Sequence, residues 1–516
     1  MSRVCQSFQH DESNASGSDS TSHENSQAQD KDDDDDQQVT SAGAGDPADV
    51  QNWSNSLRIR TFLIVWLLVF AEGWVSACDG TTVSKAAKAF HVSETAETCA
   101  TGLFLIGLST GCLIAGPLSE TFGRNPIYLI STAAFLCFTL GTALAPNFGA
   151  QIVFRLLAGI CSSPTLSLYG GTLADLFTPR ERSYAWPYFA LSPLLGPVLA
   201  PLAGGWIAEY TNFRWVYWIG LMLSGTAFLV ALAFLPETFS PVLLQWKAKA
   251  LRARTGDESY KSSIDQQEAL SKRLSQNLKR PAVFWTSEPV VIFLGAYLCL
   301  IYVVNFTFLD GFDFIFADTY GLSKGYAALG FVAIALGALL STALNPFFLL
   351  LHKHLLRPGT RTGIRDVEKR SGESDDGDDA GTGPPELRLL AAMCASPFFC
   401  ISLFWLGWTN YARISVWSAY AACVLFGYAL TAIFIGSYAY IIDVYGQYAG
   451  SALGSITLAR YLASGGMVIA SRPMYQGIGV HWTMTLMGTM AALLVPVPWV
   501  LYVYGRRISC RSKFAS

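Results

Sequence analysis

The sequence predicts an all-α integral membrane protein in which twelve transmembrane helices form two six-helix bundles. Of the 516 residues, 52% are hydrophobic and only 14% are charged, a composition too apolar for a soluble protein of this length. Apolar runs of about 20 residues, the length that crosses a ~30 Å bilayer core, recur along the chain. They come as six runs, a polar gap and six more, which is typical of two related bundles with a pathway between them.

The individual spans follow from these runs. The first six cover residues 59–83, 97–118, 126–145, 149–172, 183–208 and 214–235. The second six cover residues 288–309, 326–351, 387–408, 414–442, 450–471 and 482–504. We therefore expect an N-terminal bundle, a basic cytoplasmic linker, a C-terminal bundle and a cytoplasmic C-terminus at residues 53–235, 236–287, 288–508 and 509–516. A further cytoplasmic loop is expected at residues 352–386, between spans 8 and 9.

The segment before the first span has a different composition. Residues 1–52 are rich in Ser, Gln, Asp and Gly, with an unbroken Asp run at residues 32–36. This composition predicts a disordered acidic tail. The tail lacks the hydrophobic core of a signal peptide, so we expect the first span itself to direct insertion.

Most of the 35 Lys and Arg residues lie in loops on the same side as both termini. Positively charged loops face the cytoplasm, so both termini are predicted to be cytoplasmic. The 11 Cys residues lack metal-ligand spacing, and the 6 His residues lie in tails or near the ends of spans. We therefore expect no metal site, cofactor or disulfide framework.

A charged hairpin separates spans 2 and 3, where Gly116 and Glu120 precede Gly123 and Arg124. A short Gly-Arg turn with an acid four residues before the Arg can hold the ends of neighbouring helices through charge-assisted hydrogen bonds. The pattern predicts a gate latch, and the alternative is a positive loop that only sets orientation. Asp175 and Asp443 each end the fourth helix of their half, and we include both in the gate motif. The hairpin is not repeated after span 8, so the latch is expected in one half only.

Span 5 carries several glycines and prolines that are candidates for a functional helix. Small residues four positions apart, at Gly196, Ala200 and Gly204, allow another helix to approach closely. Prolines break the hydrogen-bond ladder and let the helix bend. The alternative is a packing face without a role in transport. The candidate residues are Pro193, Gly196, Pro197, Pro201, Gly204 and Gly205.

Ionisable residues inside a membrane are costly and suggest a functional site. Glu72 lies 12 residues beyond Arg60, about 18 Å along span 1 and hence near mid-membrane. Asp79 is seven residues further on nearly the same face, and Arg155 in span 4 lies at a depth close to that of Glu72. We expect Glu72, Asp79 and Arg155 to couple protons to transport, with the Arg155 cation facing the Glu72 carboxylate. The alternatives are a static Glu72–Arg155 pair and a position of Asp79 at the outer water boundary.

The second half contributes a further buried cation, Arg460 in span 11. Tyr302, Asn305 and Tyr438 are predicted to line a substrate cavity with it, although ordinary helix packing would explain each of these three residues equally well. Asp310 and Asp313 lie three residues apart at the outer end of span 7 and share a face. We expect them to lie on an exposed rim, and the alternative is a pair that attracts cations.

These patterns resemble a known family. The hairpin GPLSETFGRNPIY, residues 116–128, resembles the cytoplasmic signature of the major facilitator superfamily, and residues 192–205 resemble its antiporter motif in span 5. Residues 235–238, 474–482 and 496–498 are similar to fungal twelve-span drug:proton antiporters, which include polyamine exporters. The resemblance implies a monomeric, multi-pass, proton-coupled exporter of a drug, polyamine or secreted metabolite that works by alternating access. It also implies the plasma membrane, with the vacuolar membrane as the alternative.

Other classes of function are less compatible with the sequence. It contains no Gly-Lys-Ser/Thr phosphate loop for an ATP-driven pump, and no cluster of His or nucleophilic residues for an enzyme. The expected partners are a small-molecule substrate, protons and the lipid bilayer, and not nucleic acid. A transporter-like nutrient sensor and an importer of an organic solute remain as alternatives. The charge of the substrate is left open, since Glu72 favours a cation whereas Arg155 and Arg460 favour an anion.

Overall fold

A computed structural model describes residues 37–38, 46, 48–256, 260–262, 270–355, 385–509 and 512. Within these ranges, 11 helical stretches are long and apolar enough to cross a membrane. The last stretch, Ala449–Gly505, contains two predicted spans because its first helix turns at Gly479, where φ is 76°. Glycine adopts this left-handed conformation without a Cβ clash. The predicted all-α membrane architecture with twelve spans is thus confirmed.

The first half of the molecule contains spans 1 to 6. Spans 1 to 4 are Asn55–Ala77, Glu94–Phe122, Arg124–Leu144 and Phe148–Leu176. Span 5 is formed by Pro179–Ala190 and Ser192–Tyr210, and span 6 is Trp215–Phe234. Short elements between spans 1 and 2 are the 3-10 turn Gly80–Thr82 and the helix Val83–Phe90. Two linker helices, Ser240–Thr255 and Leu270–Ser287, follow span 6.

The second half contains spans 7 to 12. Span 7 is Pro289–Phe312 with the π-helical continuation Asp313–Asp318, and span 8 is Lys324–Ala327 with Leu329–Leu355. Span 9 is Leu390–Thr409 after the 3-10 turn Pro385–Leu389, and span 10 is Val416–Tyr445. Span 11 and the first part of span 12 form Ala449–Leu494, divided at Gly479, and Pro496–Ser509 completes span 12. The described strands are two residues each, Gln37–Gln38 paired in parallel with Tyr260–Lys261.

Side-chain caps define where several spans begin. The Ser93 hydroxyl accepts a hydrogen bond from the Ala96 amide at 3.1 Å, and the Asn147 side chain accepts one from the Ala150 amide at 2.8 Å. Thr178 forms a reciprocal capping box with Glu181. Such caps satisfy amides that the first helical turn leaves free, so short loops can hold spans 2, 4 and 5 in register.

Span 1 begins and span 12 ends on the same face of the molecule, which we call the termini face. The opposite face is the distal face. Near the distal face the two halves pack closely, because Gly102 of span 2 meets Gly465 of span 11. A Cβ added to Gly102 would lie 2.8 Å from the Gly465 carbonyl oxygen, which shows that only glycine allows this approach.

The tail predicted at residues 1–52 and the loop predicted at 352–386 lie largely outside the described residues. A short part of the tail is described. Val50–Asn52 forms a 3-10 turn, and the Asp46 carboxylate pairs with the Lys247 ammonium of the first linker helix at 2.8 Å.

Candidate functional site

Glu72 lies in the wall of a buried cavity in the middle of the first half. Its side chain is 5% exposed, and its Oε1 accepts hydrogen bonds from the Thr165 hydroxyl at 2.9 Å and the Thr132 hydroxyl at 3.2 Å. No ion pair involves Glu72 among the described residues. The cavity is also lined by Ser76 and, from the other half, Tyr461. Glu72 therefore contacts a space that both halves enclose.

Arg155 pairs with Asp79, so the expected contact between Arg155 and Glu72 is wrong. The Arg155 guanidinium lies 2.7 Å from Asp79 Oδ2 and donates a hydrogen bond to the Val75 carbonyl at 2.9 Å. Helical side chains tilt toward the N-terminus of their helix. Since spans 1 and 4 run in opposite directions, the Arg155 side chain extends toward the distal face and that of Glu72 toward the termini face.

Asp79 is buried in a polar network, so its alternative position at the water boundary is also wrong. The Tyr217 hydroxyl lies 3.4 Å from Asp79 Oδ2 and accepts a hydrogen bond from the Gln151 amide at 3.1 Å. The same amide donates to Glu97 at 2.7 Å. Sequence analysis missed Glu97 and Gln151, because each lies near the predicted end of its span and resembles a membrane-surface residue.

Arg460 occupies an aromatic cage in the second half. The guanidinium carbon lies 3.9 Å from the ring centroid of Tyr302 and 4.7 Å from that of Tyr461, and the guanidinium donates to the Tyr438 hydroxyl at 2.8 Å. The Phe434 ring lies at 5.4 Å. The structure thus brings Tyr302, Tyr438 and Arg460 together.

Asn305 was predicted to line a cavity with these residues. It is buried about one turn further along span 7, and no hydrogen bond joins it to the cage among the described residues.

A cleft of about 670 Å³ opens between the halves at the termini face. Arg182 and Trp186 of span 5 line one side, and Arg388 and Asp443 line the other. The Trp186 ring stacks on Tyr438 with centroids 5.8 Å apart, and its Nε1 donates to the Ile435 carbonyl at 3.3 Å. Because Tyr438 also holds Arg460, the Trp186–Tyr438 stack separates the cleft from the aromatic cage.

The distal face is closed by charged contacts between the halves. Arg472 of span 11 pairs with Glu94 of span 2 in the other half, and within its own half it lies 3.6 Å from Asp313 of span 7. Glu209 of span 5 accepts a hydrogen bond from the Gly325 amide at 3.2 Å. The described conformation is therefore closed at the distal face, with its cleft at the termini face.

The aspartates of span 7 take part in this region, which corrects the expected exposed rim. Asp310 is buried and accepts a hydrogen bond from the Ser471 hydroxyl. Asp313 is largely buried between Arg472 and Lys324, with a 3.6 Å contact to each. The long helical continuation of span 7 places both residues against span 11, beside the Arg472–Glu94 pair that joins the halves.

The predicted gate motif forms ion pairs with two separate elements. Arg124 Nε lies 2.7 Å from Asp175 Oδ2 at the end of span 4, whereas Glu120 pairs with Arg273 of the second linker helix. Gly123 takes a φ of 95°, which gives the turn its direction. Gly116 lies one turn before Glu120, and its carbonyl accepts a hydrogen bond from the Ser119 hydroxyl.

Glu237 completes this hairpin, and sequence analysis recognised it only as part of a family string. Its carboxylate accepts hydrogen bonds from the backbone amides of Arg124 at 2.9 Å and Asn125 at 3.2 Å, at the start of span 3. Burial raises the pKa of Glu237, and these backbone donors oppose the rise. A helix N-terminus favours a carboxylate, so Glu237 holds the linker against span 3.

The second half contains an equivalent pair, so the expectation of a one-sided latch is wrong. Arg388 Nε lies 2.8 Å from Asp443 Oδ2. Arg388 lies at the start of span 9 and Asp443 at the end of span 10, just as Arg124 starts span 3 and Asp175 ends span 4. The pair was missed because Arg388 follows a long loop and lacks the Gly-Arg turn.

The glycines of span 5 pack against helices of both halves. A Cβ on Gly196 would lie 2.6 Å from the Phe70 carbonyl oxygen of span 1, and one on Gly205 would lie 2.8 Å from the Lys324 carbonyl oxygen of span 8. Gly204 packs on Cys78 and Thr81. The remaining candidates are buried prolines, of which the first two line the Glu72 cavity: Pro193, Pro197 and Pro201.

Comparison with known proteins identifies the class. Residues 65–468 match the model of the Major Facilitator Superfamily. The chain is 41% identical over 474 residues to the MFS-type transporter kojT of Aspergillus flavus and Aspergillus oryzae, covering 91% of this chain and 81% of that protein. It is 32% identical over 470 residues to the multidrug transporter TPO3 of Candida glabrata, covering 90% and 70%.

Solved structures show the same fold. The xylose transporter XylE from E. coli, in a partially occluded inward-open conformation, superposes with a TM-score of 0.57 at 15% identity, covering 87% of this chain and 98% of that one. The chain belongs to the Major Facilitator Superfamily, among its fungal members. It is therefore a multi-pass membrane transporter of a small organic solute, and not an enzyme.

Proposed function

We propose that the protein exports a small organic molecule in exchange for protons. The observation that carries this proposal is Glu72, a buried carboxyl in a cavity wall whose described partners are two threonine hydroxyls. An unpaired carboxylate is costly to bury, so such a group takes up or releases a proton when its access to water changes. Glu72 is thus the proton carrier, and the Arg155–Asp79 pair keeps spans 1 and 4 together beside it.

The export direction has separate support. The span 5 residues resemble the antiporter motif of the family, and TPO3 among the relatives is named a multidrug transporter. We place the termini face in the cytoplasm because most Lys and Arg residues lie in loops on that side. The transporter would act as a monomer in the plasma membrane, with the vacuolar membrane as the alternative site.

The two bundles would alternate access to the central cavities. Substrate enters the termini-face cleft and passes the Trp186–Tyr438 stack, and the distal contacts of Arg472 then open to release it. A proton from the distal side binds Glu72 and accompanies the return. The pairs Arg124–Asp175 and Arg388–Asp443 hold helix ends together within each half during this rocking.

The test is an untargeted comparison of culture-medium metabolites between cells with and without the protein, repeated with a protonophore. We expect at least one compound to be absent from the medium of deletion cells, and its protein-dependent release to stop when the protonophore is added. Unchanged medium combined with altered transcription after a nutrient shift would contradict export and favour a sensor.

A further inference from the structure

The two arginines buried at the centre of the molecule differ in their charge partners. Arg155 is 1% exposed and has a carboxylate partner in Asp79. Arg460 is 2% exposed and has no carboxylate partner among the described residues. One tyrosine hydroxyl and four aromatic rings surround it, and no described residue accepts a hydrogen bond from its Nε. Buried charges are normally paired, so Arg460 retains charge and a donor for a ligand.

Arg460 lies between the two cavities. The adjacent residue, Tyr461, lines the Glu72 cavity, and Tyr438, which binds Arg460, stacks on Trp186 at the inner end of the cleft. A molecule that moves from the cleft to the Glu72 cavity therefore passes the guanidinium group of Arg460.

The cleft itself carries an excess of positive charge. Its charged lining residues are Arg182, Arg388 and Asp443, and Asp443 is already paired with Arg388. No ion pair involves Arg182 in the part of the chain that the structure describes. A concave surface with one sign of charge attracts ligands of the opposite sign.

We infer that the substrate is a small organic anion with a flat, unsaturated body, an inference that rests on the proposed export function. Its acidic group binds Arg460 through charge-assisted hydrogen bonds. Its flat face lies against the ring of Tyr461, which belongs to the cage and also lines the Glu72 cavity. A cation is disfavoured, because Arg460 would repel it. Arg155 does not compete for the anion, because Asp79 already neutralises it.

The proton then binds to Glu72 in the first half, and the anion binds to Arg460 in the second half. No hydrogen bond or ion pair joins these two residues in the structure. The two binding events are therefore coupled through the change between open faces. In an exchanger, proton binding must weaken substrate binding, and substrate binding must weaken proton binding by the same factor.

The experiment uses purified full-length protein in lipid nanodiscs with three probes of one shape. Benzoate is the anion, benzyl alcohol the neutral control and benzylammonium the cation. Binding is titrated by saturation-transfer NMR, with empty nanodiscs as background. We expect benzoate to bind best, and Arg460→Gln to weaken it at least tenfold while leaving benzyl alcohol unchanged. Arg413→Gln, which removes an exposed arginine, serves as the matched control and should bind as the parent does.

Arg460→Lys keeps the positive charge and guards against a folding defect, and we expect it to retain the preference for benzoate over benzylammonium. Equal benzoate binding by the parent and Arg460→Gln would overturn the inference, as would a parent that prefers benzylammonium or binds no benzoate.

A pH series separates this inference from the proposed function. Exchange predicts weaker benzoate binding at pH 6 than at pH 8, and loss of that difference in Glu72→Gln. Binding that strengthens at lower pH would show that proton and anion travel together. That result would contradict proton exchange while supporting the anion site.

Discussion

Glu72 and Asp79 lie on the same helix, yet the fold gives them different partners. Asp79 is neutralised by Arg155, whereas Glu72 is held by the hydroxyls of Thr132 and Thr165. The described partner of Asp79 thus carries the opposite charge, whereas the described partners of Glu72 carry none. This difference between neighbouring residues is the reason we propose proton transfer for Glu72 and structural support for Asp79.

Replacing Glu72 by Gln should remove proton coupling without unfolding the protein. The amide oxygen can still accept from both threonines, so the amount of protein in the membrane should stay near the parental amount. Transport of the identified substrate, measured in vesicles over a series of external pH values, should lose its pH dependence. A Glu209→Gln variant, altered at the distal face, should keep it. Identical pH profiles for Glu72→Gln and the parent would contradict the assignment.

Replacing Asp79 by Asn should destabilise the protein, because Arg155 would be left buried without its counter-ion. Breaking a buried pair in this way costs about 3–5 kcal/mol. The midpoint of thermal unfolding in detergent, followed by size-exclusion chromatography after heating, should fall. The double variant Asp79→Asn with Arg155→Gln should recover part of the loss, and no recovery would argue against the pair as the cause.

At the scale of helices, close approaches depend on single glycines. Gly196 places span 5 directly on the backbone of span 1, and Gly102 places span 2 on span 11. The first contact lies within one half, and the second joins the two halves. Span 5 is therefore held against span 1 by shape rather than by charge.

A methyl group at Gly196 should disrupt this contact. The added Cβ would lie 2.6 Å from the Phe70 carbonyl oxygen and 2.8 Å from the Trp74 amide nitrogen, and neither backbone atom can move independently. We expect Gly196→Ala to reduce thermal stability by about 1–3 kcal/mol and to slow transport. Gly225→Ala in span 6 is the control, since its Cβ meets nothing within 4 Å. Equal stability of the two variants would refute the argument.

Hydropathy and length predicted which helices exist, but not how their side chains meet. The Cα positions alone predict that Arg155 lies at the depth of Glu72. Its long side chain extends toward the distal face, however, and therefore pairs with Asp79. Arg388 was overlooked because its pairing with Asp443 depends on the repeated arrangement of the two halves, not on a local motif. Glu237 acts through backbone amides distant in sequence, which no spacing pattern records.

At the scale of the whole molecule, the described state is closed at the distal face and has its cleft at the termini face. Arg472 contributes to this closure through its pair with Glu94 of the first half, while its contact with Asp313 lies within the second half. The Arg472–Glu94 pair exists only while the distal ends are together, so it biases the equilibrium toward this state.

Replacing Arg472 by Gln should therefore increase the population that is open at the distal face. If the variant destabilises the closed state by about 1.4 kcal/mol, the ratio of the open to the closed population rises tenfold. Spin labels at Tyr210 and Trp417, exposed residues at the distal ends of spans 5 and 10, should show a larger share of long distances. An unchanged distance distribution would show that these charges do not control closure, and Arg413→Gln provides a neutral comparison.

The lone guanidinium of Arg460 also has an electrical consequence. A cycle that carries one monoanion outward and one proton inward transfers two positive charges into the cell. Each charge that crosses 100 mV contributes about 2.3 kcal/mol, so the voltage alone would contribute about 4.6 kcal/mol per cycle. That energy corresponds to a concentration ratio of about a thousandfold. Export would then continue in a medium as alkaline as the cytoplasm, as long as the membrane stays polarised.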